Sequence, residues 1–227
     1  MLYAIGDLHL SLGSDKSMEV FGGAWEGYLE KLKEGFSTLG SGDVCVLCGD
    51  ISWSMDLEGA AEDFHFIDRL PGQKIILKGN HDYWWSTATK LQAFFEREQI
   101  HSIRILHNNC IFYDEIAICG TRGWFYEEET GTEHDKKILN RELLRLETSL
   151  KCAGERRKIC FLHYPPRYHD YVCREIISLM TRYNVTDCCY GHIHGFGNRF
   201  LIEGLVEQIC YKNVAADYIN FRPVPLL

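Results

Sequence analysis

This sequence of 227 residues lacks the features that would place it in a membrane, outside the cell or on nucleic acid. No apolar stretch approaches the roughly 20 residues that span a bilayer. The first residues contain no basic segment, apolar core or cleavage site of a signal peptide. Dense runs of lysine and arginine are also missing, so we expect a cytoplasmic protein without a membrane partner.

The charge balance is acidic, with 32 Asp and Glu residues against 24 Lys and Arg residues, and the formal net charge is −8. Such a surface repels long DNA or RNA unless a local basic groove offsets it. The balance therefore favours a small molecule or a peptide over extended nucleic acid as the partner. No Pro/Gly/Ser-rich linker and no internal repeat divides the chain, so we expect a single domain over residues 1–227. The oligomeric state is left open.

Ten cysteines raise the question of disulfides or a zinc site. Cys45 and Cys48 form a C-x-x-C pattern inside the apolar run 44–48, which is typical of a buried strand. Residues three apart on a strand point to opposite faces, so these two sulfurs are not expected to share a metal. We predict that nearly all ten cysteines are reduced thiols in the core, which suits a reducing compartment.

Apolar periodicity predicts alternating strands and helices in the first half and more strands in the second half. The predicted strands cover 2–5, 44–48, 74–77, 103–107, 110–113, 115–120, 158–162, 187–190, 199–203 and 205–213. The predicted helices cover 24–39, 57–70, 86–98, 133–152 and 170–183. This pattern indicates α/β architecture with sheets that are largely buried on both faces. Residues 124–135 are expected to form an exposed loop that borders a site.

Polar residues gather where five of the predicted strands end. They are Asp7, His9, Asp50, Asn80, His81, Asp82, His163, His192 and His194. In open α/β sheets ligands bind outside the carboxyl ends of the strands, so these residues are expected along one rim. The other five histidines lack such a context and are expected to be structural or on the surface.

Imidazole nitrogen with carboxylate and amide oxygen, and no thiolate, forms a ligand set that suits manganese, iron, zinc, nickel or cobalt better than calcium or magnesium. Seven such ligands are too many for one tetrahedral ion and suit a pair of ions that shares one carboxylate. Two ions about 3.5–4 Å apart lower the pKa of a bridging water and clamp the oxygens of an in-line displacement. Phosphate esters need this help because they repel an anionic nucleophile and develop charge on the leaving group.

The motifs resemble, in the right order, the five motifs of the calcineurin-like metallophosphoesterase superfamily. They are Gly6-Asp7-Leu8-His9, Gly49-Asp50, Gly79-Asn80-His81-Asp82, His163 and Gly191-His192-Ile193-His194. Each motif alone arises often by chance, but five in order, each after a predicted strand, are specific. The resemblance spans most of the chain, from residue 6 to residue 195. It implies a four-layer αββα sandwich, in which two mixed β-sheets are flanked by helices.

The resemblance also implies two divalent or trivalent transition-metal ions (manganese, iron or zinc) and a role for each residue. In that scheme Asp7, His9 and His194 hold the first ion, Asn80, His163 and His192 hold the second, and Asp50 bridges them. His81 would stabilise the transferring phosphoryl group and protonate the leaving oxygen, with Asp82 orienting its ring.

Three further residues are candidates for substrate binding. Arg122, in a glycine-flanked segment after a predicted strand, suits a phosphate group, although a surface arginine in a turn is the alternative. Tyr83 and Trp84 follow the His-Asp pair and suit stacking on a base or ring. For both aromatic residues, packing in the core is the alternative.

We therefore expect an enzyme that hydrolyses phosphate mono- or diesters of a small molecule or nucleotide by attack of a metal-bridging hydroxide. One alternative is a non-catalytic scaffold that keeps the fold and binds partners, and another is a protein serine/threonine phosphatase. A scaffold can lose ligands and the catalytic histidine, whereas this chain retains them all. Protein phosphatases that resemble this superfamily usually have longer chains and more arginines near the metals. A small phosphorylated substrate is therefore favoured.

Overall fold

The computed structural model describes residues 1–13, 16–126 and 131–227. In chain order the strands are β1 (Leu2–Ile5), β2 (Val44–Leu47), β3 (Gln73–Ile76), β4 (Ile103–Ile105), β5 (Ile111–Tyr113), β6 (Ile116–Thr121), β7 (Arg157–Leu162), β8 (Arg167–Tyr168), β9 (Tyr171–Val172), β10 (Val185–Tyr190), β11 (Gly204–Val206), β12 (Ile209–Asn213) and β13 (Val224–Pro225). The α-helices are α1 (Tyr28–Phe36), α2 (Ala61–Arg69), α3 (Ala88–Arg97), α4 (Glu133–Cys152) and α5 (Arg174–Arg182). Short 3₁₀ helices cover Met18–Phe21, Gly23–Trp25 and Gly195–Phe200.

The strands form two large mixed sheets and one two-stranded ribbon. The first sheet has the order β13-β1-β2-β3-β4, and the second has the order β11-β12-β10-β7-β6-β5. Both sheets have a parallel centre. The first sheet has one antiparallel edge, where β13 pairs with β1, and the second has two, where β5 pairs with β6 and β11 pairs with β12. The carboxyl ends of the central strands therefore meet along one edge of each sheet.

Three apolar clusters lie between the four layers of the fold. One cluster lies between the first sheet and helices α1 to α3, and a second lies between the second sheet and helices α4 and α5. The third cluster fills the space between the two sheets. Cys45 belongs to the first cluster and Cys48 to the third, so the two cysteines face opposite sides of β2, as their spacing predicts. The four-layer sandwich is confirmed.

The helices and strands of the first half lie where the apolar periodicity predicts them, although they are shorter at their ends. The structure of residues 199–213 differs from the predicted one. The predicted strand 199–203 is instead the end of a 3₁₀ helix followed by an irregular segment, because the edge position beside β12 is taken by β11. The predicted strand 205–213 is a hairpin whose turn residues Glu207 and Gln208 both have positive φ. Paired positive φ values suit a tight hairpin, but the usual Asn-Gly signal is missing from the sequence.

Residues 170–183 form the short strand β9 followed by α5, rather than one long helix. Part of the predicted loop 124–135, residues 127–130, lies outside the described residues. Its last part begins α4, where Thr132 and Asp135 form a capping box. None of the helices in the described chain is long and apolar enough to cross a membrane.

The cysteines match the expectation of core thiols at seven positions, all of which are buried. Cys110 and Cys210 are half-buried, and Cys152 is exposed. These three cysteines are the exceptions to the core placement, and the Sγ atoms of two of them, Cys110 and Cys152, lie 2.9 Å apart.

Candidate metal centre

The ends of five strands bring the predicted ligands together at one edge of the sandwich. Two groups of side chains have ligand atoms that all lie within 4.8 Å of one another inside each group. The groups are Asp7 with His9 and His194, and Asp50 with His163 and His192. We call them the first and the second ligand group. The first sheet supplies both aspartates and His9, and the second sheet supplies the other histidines, so the centre lies at the junction of the two sheets.

Asp50 belongs to the second ligand group but also lies close to the first. Its Oδ2 is 3.7 Å from Nε2 of His9 in the first group and 3.5 Å from Nε2 of His163 in the second group. Its Oδ1 accepts a hydrogen bond from the backbone amide of His81 at 2.8 Å. One carboxylate oxygen therefore faces both groups, which is the position that a shared ligand requires.

His163 and Asn80 point two acceptor atoms at each other. Nδ1 of His163 lies 3.1 Å from the carbonyl oxygen of Cys48, which can only accept, so Nδ1 carries the proton. Burial lowers the pKa of His163 to about 3, so the ring is neutral and Nε2 is an acceptor. Oδ1 of Asn80 lies 2.5 Å from this Nε2. Two lone pairs directed at one place fit a cation between or beside them.

The carboxylates of the centre repel one another. Burial, followed by the negative charges of Asp82 and Asp7, raises the pKa of Asp50 well above its usual range. In the described chain, the basic groups within 4 Å of the carboxylates of Asp7 and Asp50 are imidazoles. Burial lowers the pKa of His9 and of His163 to about 3, so these two rings do not neutralise the aspartates, and of the three imidazoles only His194 has a raised pKa. The site therefore fits bound cations that supply the missing positive charge.

His194 is oriented by Asp217, a residue that sequence reasoning missed. Nδ1 of His194 lies 2.7 Å from Oδ1 of Asp217, and Nε2 points toward Asp7 at 3.4 Å without a hydrogen bond. Burial alone would lower the pKa of His194, but Asp7 and Asp217 outweigh it and raise the pKa to about 10. A carboxylate behind an imidazole is the usual way to aim the other nitrogen at a metal. Asp217 lies beyond the last motif, so the sequence offered no spacing that could reveal it.

The backbone at the ligands is held in an unusual conformation. Four predicted ligands have positive φ, namely Asp7, His9, Asp50 and His192. Such values are uncommon outside glycine and cluster at functional sites, where each costs about 1–3 kcal/mol. The motif glycines leave room for the carboxylates, since a Cβ on Gly79 would lie 2.1 Å from Oδ1 of Asp50 and one on Gly191 would lie 2.2 Å from Oδ2 of Asp7.

His81 lies beside both groups, among aromatic rings. Its ring centroid is 4.4 Å from that of Trp53, 5.7 Å from that of His9 and 6.1 Å from that of Tyr83. Nδ1 of His81 is buried and has no hydrogen-bond partner among the described residues. Burial lowers the pKa of His81.

Asp82 has a different role from the one that the resemblance implied. Its carboxylate is fully buried and accepts hydrogen bonds from the backbone amides of Asp50, Ile51, Ser52 and Gly79 at 2.6–3.3 Å, and from Nε1 of Trp84 at 3.1 Å. Because Nδ1 of His81 has no partner, the expectation that Asp82 orients this nitrogen is wrong for the free protein. Asp82 instead ties the loop after β2 to the loop after β3.

The three substrate-binding candidates have different surroundings. Trp84 is 2% exposed and packs against Phe64, so it belongs to the core and the substrate-binding interpretation is wrong. Tyr83 is 54% exposed near His81 and remains a candidate. Arg122 is half-buried, and its carbonyl oxygen accepts from the amide of His163 at 3.1 Å, which places it next to the second ligand group.

A cavity of about 880 Å³ opens directly beside the centre. His192 and His194 form part of its wall, and the rest includes the rings of Phe125, Tyr168 and Phe200. The hydroxyl of Tyr168 is already bonded to the carbonyl oxygen of Gly197, at 3.2 Å, so this side chain offers its ring face. The cavity is therefore large enough for a small organic group, and it opens at His192 and His194 of the two ligand groups.

Comparison with known proteins agrees with the geometry. A family model described as calcineurin-like phosphoesterase matches residues 2–196. Among solved structures, the phosphopantetheinyl hydrolase PptH from Mycobacterium tuberculosis is similar, with a TM-score of 0.61 and 13% sequence identity over 100% of this chain and 96% of that chain. A protein of unknown function from Aquifex aeolicus, AQ665, gives a TM-score of 0.53 and 16% identity over 99% of this chain and 94% of that chain. A search of curated protein sequences gives no significant match.

At these identities the solved structures show a shared fold and do not transfer a substrate. The family model shows more than the fold, because its match covers most of the sequence and includes every residue of the two ligand groups. By that match, the chain belongs to the calcineurin-like phosphoesterase family.

Proposed function

We propose that this protein is a binuclear metal-dependent phosphoesterase that hydrolyses phosphate mono- or diesters of a small molecule or nucleotide. The observation that carries the proposal is the position of Asp50, with one oxygen facing both ligand groups. A single structural metal site would close its coordination shell and need no second group of ligands. Family membership supports a hydrolytic role.

The proposed metal ligands fall into two sets, one for each ion. Asp7, His9 and His194 would hold one ion, Asn80, His163 and His192 would hold the other, and Asp50 would belong to both. When bound, such ions acidify water and neutralise the charge of a phosphate group. The borderline donor set suits manganese, iron or zinc and does not choose between them.

His81 is the proposed proton donor to the leaving oxygen. In the free protein burial lowers its pKa, whereas the negative charge of a bound phosphate would favour the protonated ring. Trp53, whose ring lies 4.4 Å away, limits where the imidazole can turn. The organic part of the ester would lie in the cavity beside His192 and His194.

The net charge of −8 supports a small phosphorylated substrate rather than extended nucleic acid. Seven buried thiols suit a reducing compartment, and we place the protein in the cytoplasm as part of the proposal. A non-catalytic scaffold is the second candidate, but a scaffold has no need for a half-buried histidine beside complete ligand groups.

The test is turnover by manganese-loaded protein of 4-nitrophenyl phosphate and bis(4-nitrophenyl) phosphate, followed by a nucleotide panel. We expect hydrolysis of at least one ester, and His81→Ala is expected to abolish it while metal content, measured by mass spectrometry, stays at wild-type level. Protein that binds two ions and hydrolyses nothing in the panel would favour the scaffold. A His81→Ala variant as active as wild type would remove His81 from the mechanism.

A further inference from the structure

Three cationic side chains lie close together next to the proposed metal centre. Arg122 and Arg145 contact Glu142 of α4, and Lys78 is close enough to interact electrostatically with both arginines. We call Lys78, Arg122 and Arg145 the basic cluster. Nη1 of Arg145 is 2.7 Å from Oε1 of Glu142, and Nη2 of Arg122 is 3.5 Å from the same oxygen. The other oxygen of Glu142 accepts a hydrogen bond from the hydroxyl of Thr121 at 2.5 Å. Glu142 is 1% exposed, so its oxygens are already occupied by these donors.

The positive charge of the basic cluster exceeds what Glu142 can balance. Lys78 is half-buried and has no hydrogen-bond or ion-pair partner among the described residues. Nε of Arg122 is buried without an acceptor. Cations held close together in a partly buried place repel one another unless an anion lies between them.

The basic cluster borders the second ligand group. Lys78 precedes Gly79 and Asn80 at the end of β3, and Arg122 follows β6 with its carbonyl oxygen bonded to the amide of His163. The guanidinium of Arg122 also lies 4.9 Å over the ring of Trp124, and Nε1 of Trp124 donates to Asp135 of α4. These contacts hold the guanidinium near α4, while the backbone of the same arginine lies against the second ligand group.

We propose that the basic cluster binds a second phosphate group of the substrate, so that the preferred esters carry a phosphate in addition to the one that is cleaved. This inference rests on the proposed function. A planar guanidinium and a lysine ammonium are the usual partners of phosphate oxygens. In a protein with a net charge of −8, a local excess of positive charge beside the centre also discriminates in favour of multiply charged ligands.

The test measures binding by calorimetry to manganese-loaded protein, with adenosine 5′-monophosphate, adenosine 5′-diphosphate and adenosine 3′,5′-bisphosphate as probes. The three probes share one nucleoside and differ in phosphate content. We expect at least one of the two doubly phosphorylated nucleotides to bind about tenfold more tightly than the monophosphate, as charge-assisted hydrogen bonds allow. Lys78→Met should reduce this ratio to about two or less, and Lys78→Arg should restore it. Lys90→Met makes the same change at an exposed position of α3 and should leave the ratio unchanged.

Equal affinity of wild-type protein for the three nucleotides would overturn the proposal. An equal loss for all three in Lys78→Met would assign the basic cluster to the cleaved phosphate instead. Lys78-dependent binding of inorganic phosphate, without any preference among the nucleotides, would assign it to free phosphate. Turnover of the 4-nitrophenyl esters is measured separately, so its absence would count against the proposed function while the binding ratio still tests the basic cluster.

Discussion

Two histidines of the centre are oriented by a contact between Nδ1 and a residue outside the two ligand groups. Nδ1 of His163 meets the carbonyl oxygen of Cys48, and Nδ1 of His194 meets Asp217. Both contacts leave Nε2 directed at the aspartates. The two partners differ in chemistry, because a backbone carbonyl is neutral whereas a carboxylate adds negative charge and raises the basicity of the ring.

Asp217→Asn should therefore weaken metal binding without unfolding the protein. Loss of such a partner typically costs 10–100-fold in metal affinity or activity, and we expect a drop of about that size in manganese affinity. The measurement is a manganese titration followed by calorimetry, with activity recorded in parallel. Asp187→Asn, the same change at the exposed ion pair with Arg157, should leave the affinity unchanged. Wild-type affinity in Asp217→Asn would show that Asp7 alone positions His194.

Asp82→Asn should lower the stability of the protein. An amide in place of this buried carboxylate puts an NH₂ group against backbone donors, and leaving such donors unsatisfied costs about 1–3 kcal/mol. For a chain of this length the melting temperature should fall by roughly 2–4 °C per kcal/mol. Asp56→Asn, at a turn where the side chain accepts from Gly59, is the control and should change it little. Lost activity at an unchanged melting temperature would instead support a direct action of Asp82 on His81.

The sequence was sufficient to select the six residues of the two ligand groups, with Asn80 and His81 beside them, because each follows a short apolar run at the end of a strand. It was not sufficient for Asp217, Trp53 or Lys78, whose positions depend on how separate loops pack. Asp217 comes from the loop after β12 and reaches His194 only because β12 lies beside β10. Trp84 shows the converse, since an aromatic residue next to the motif is buried in the core.

At the scale of secondary structure, the strand ends do more than present side chains. Gly191 directly follows β10, where the chain passes against Asp7, and the amide of His192 donates to both oxygens of that aspartate at 2.9 and 3.1 Å. The close approach needs the missing Cβ. The loops after β1 and β10, which belong to different sheets, are thereby locked together at the first ligand group.

Gly191→Ala should displace Asp7 and reduce metal content while the sandwich still folds. A Cβ at this position would lie 2.2 Å from Oδ2 of Asp7, so the carboxylate has to move by about 1 Å or more. A displacement of that size can cost about 100-fold in rate, and we expect kcat/KM to fall at least that far. Gly42→Ala is the matched control, since a Cβ there meets open space. Unchanged manganese stoichiometry and turnover in Gly191→Ala would contradict the close approach of the two loops.

The elements of the first half were predictable because each strand is a continuous apolar run between turn residues, and each helix repeats apolar residues on one face. Residues 199–213 were not, because their apolar residues suit several arrangements and the choice depends on which strand pairs with the exposed edge of β12. Local patterning gives the type of an element, whereas sheet order is decided by pairing between distant segments.

At the scale of the whole molecule, the metal centre joins the two halves of the sandwich. The first sheet supplies Asp7, His9, Asp50 and Asn80, and the second sheet supplies His163, His192 and His194. Without cations, the aspartates at this junction repel one another, and burial adds to the cost. The apolar cluster between the sheets holds the halves together on its own, so we expect the metal-free protein to be folded but less stable.

Removal of the metal should therefore lower the melting temperature of the whole sandwich in a single transition. A ligand at about 1,000 times its dissociation constant stabilises the folded state by roughly 4 kcal/mol, which corresponds to about 10 °C for a chain of this size. The measurement is calorimetric unfolding with excess manganese and after treatment with a chelator. In the double variant His192→Ala, His194→Ala the shift should be much smaller, because the second sheet then contributes only His163. A wild-type melting temperature that manganese leaves unchanged would mean that no ion binds across the junction, and the two-ion proposal would fail with it.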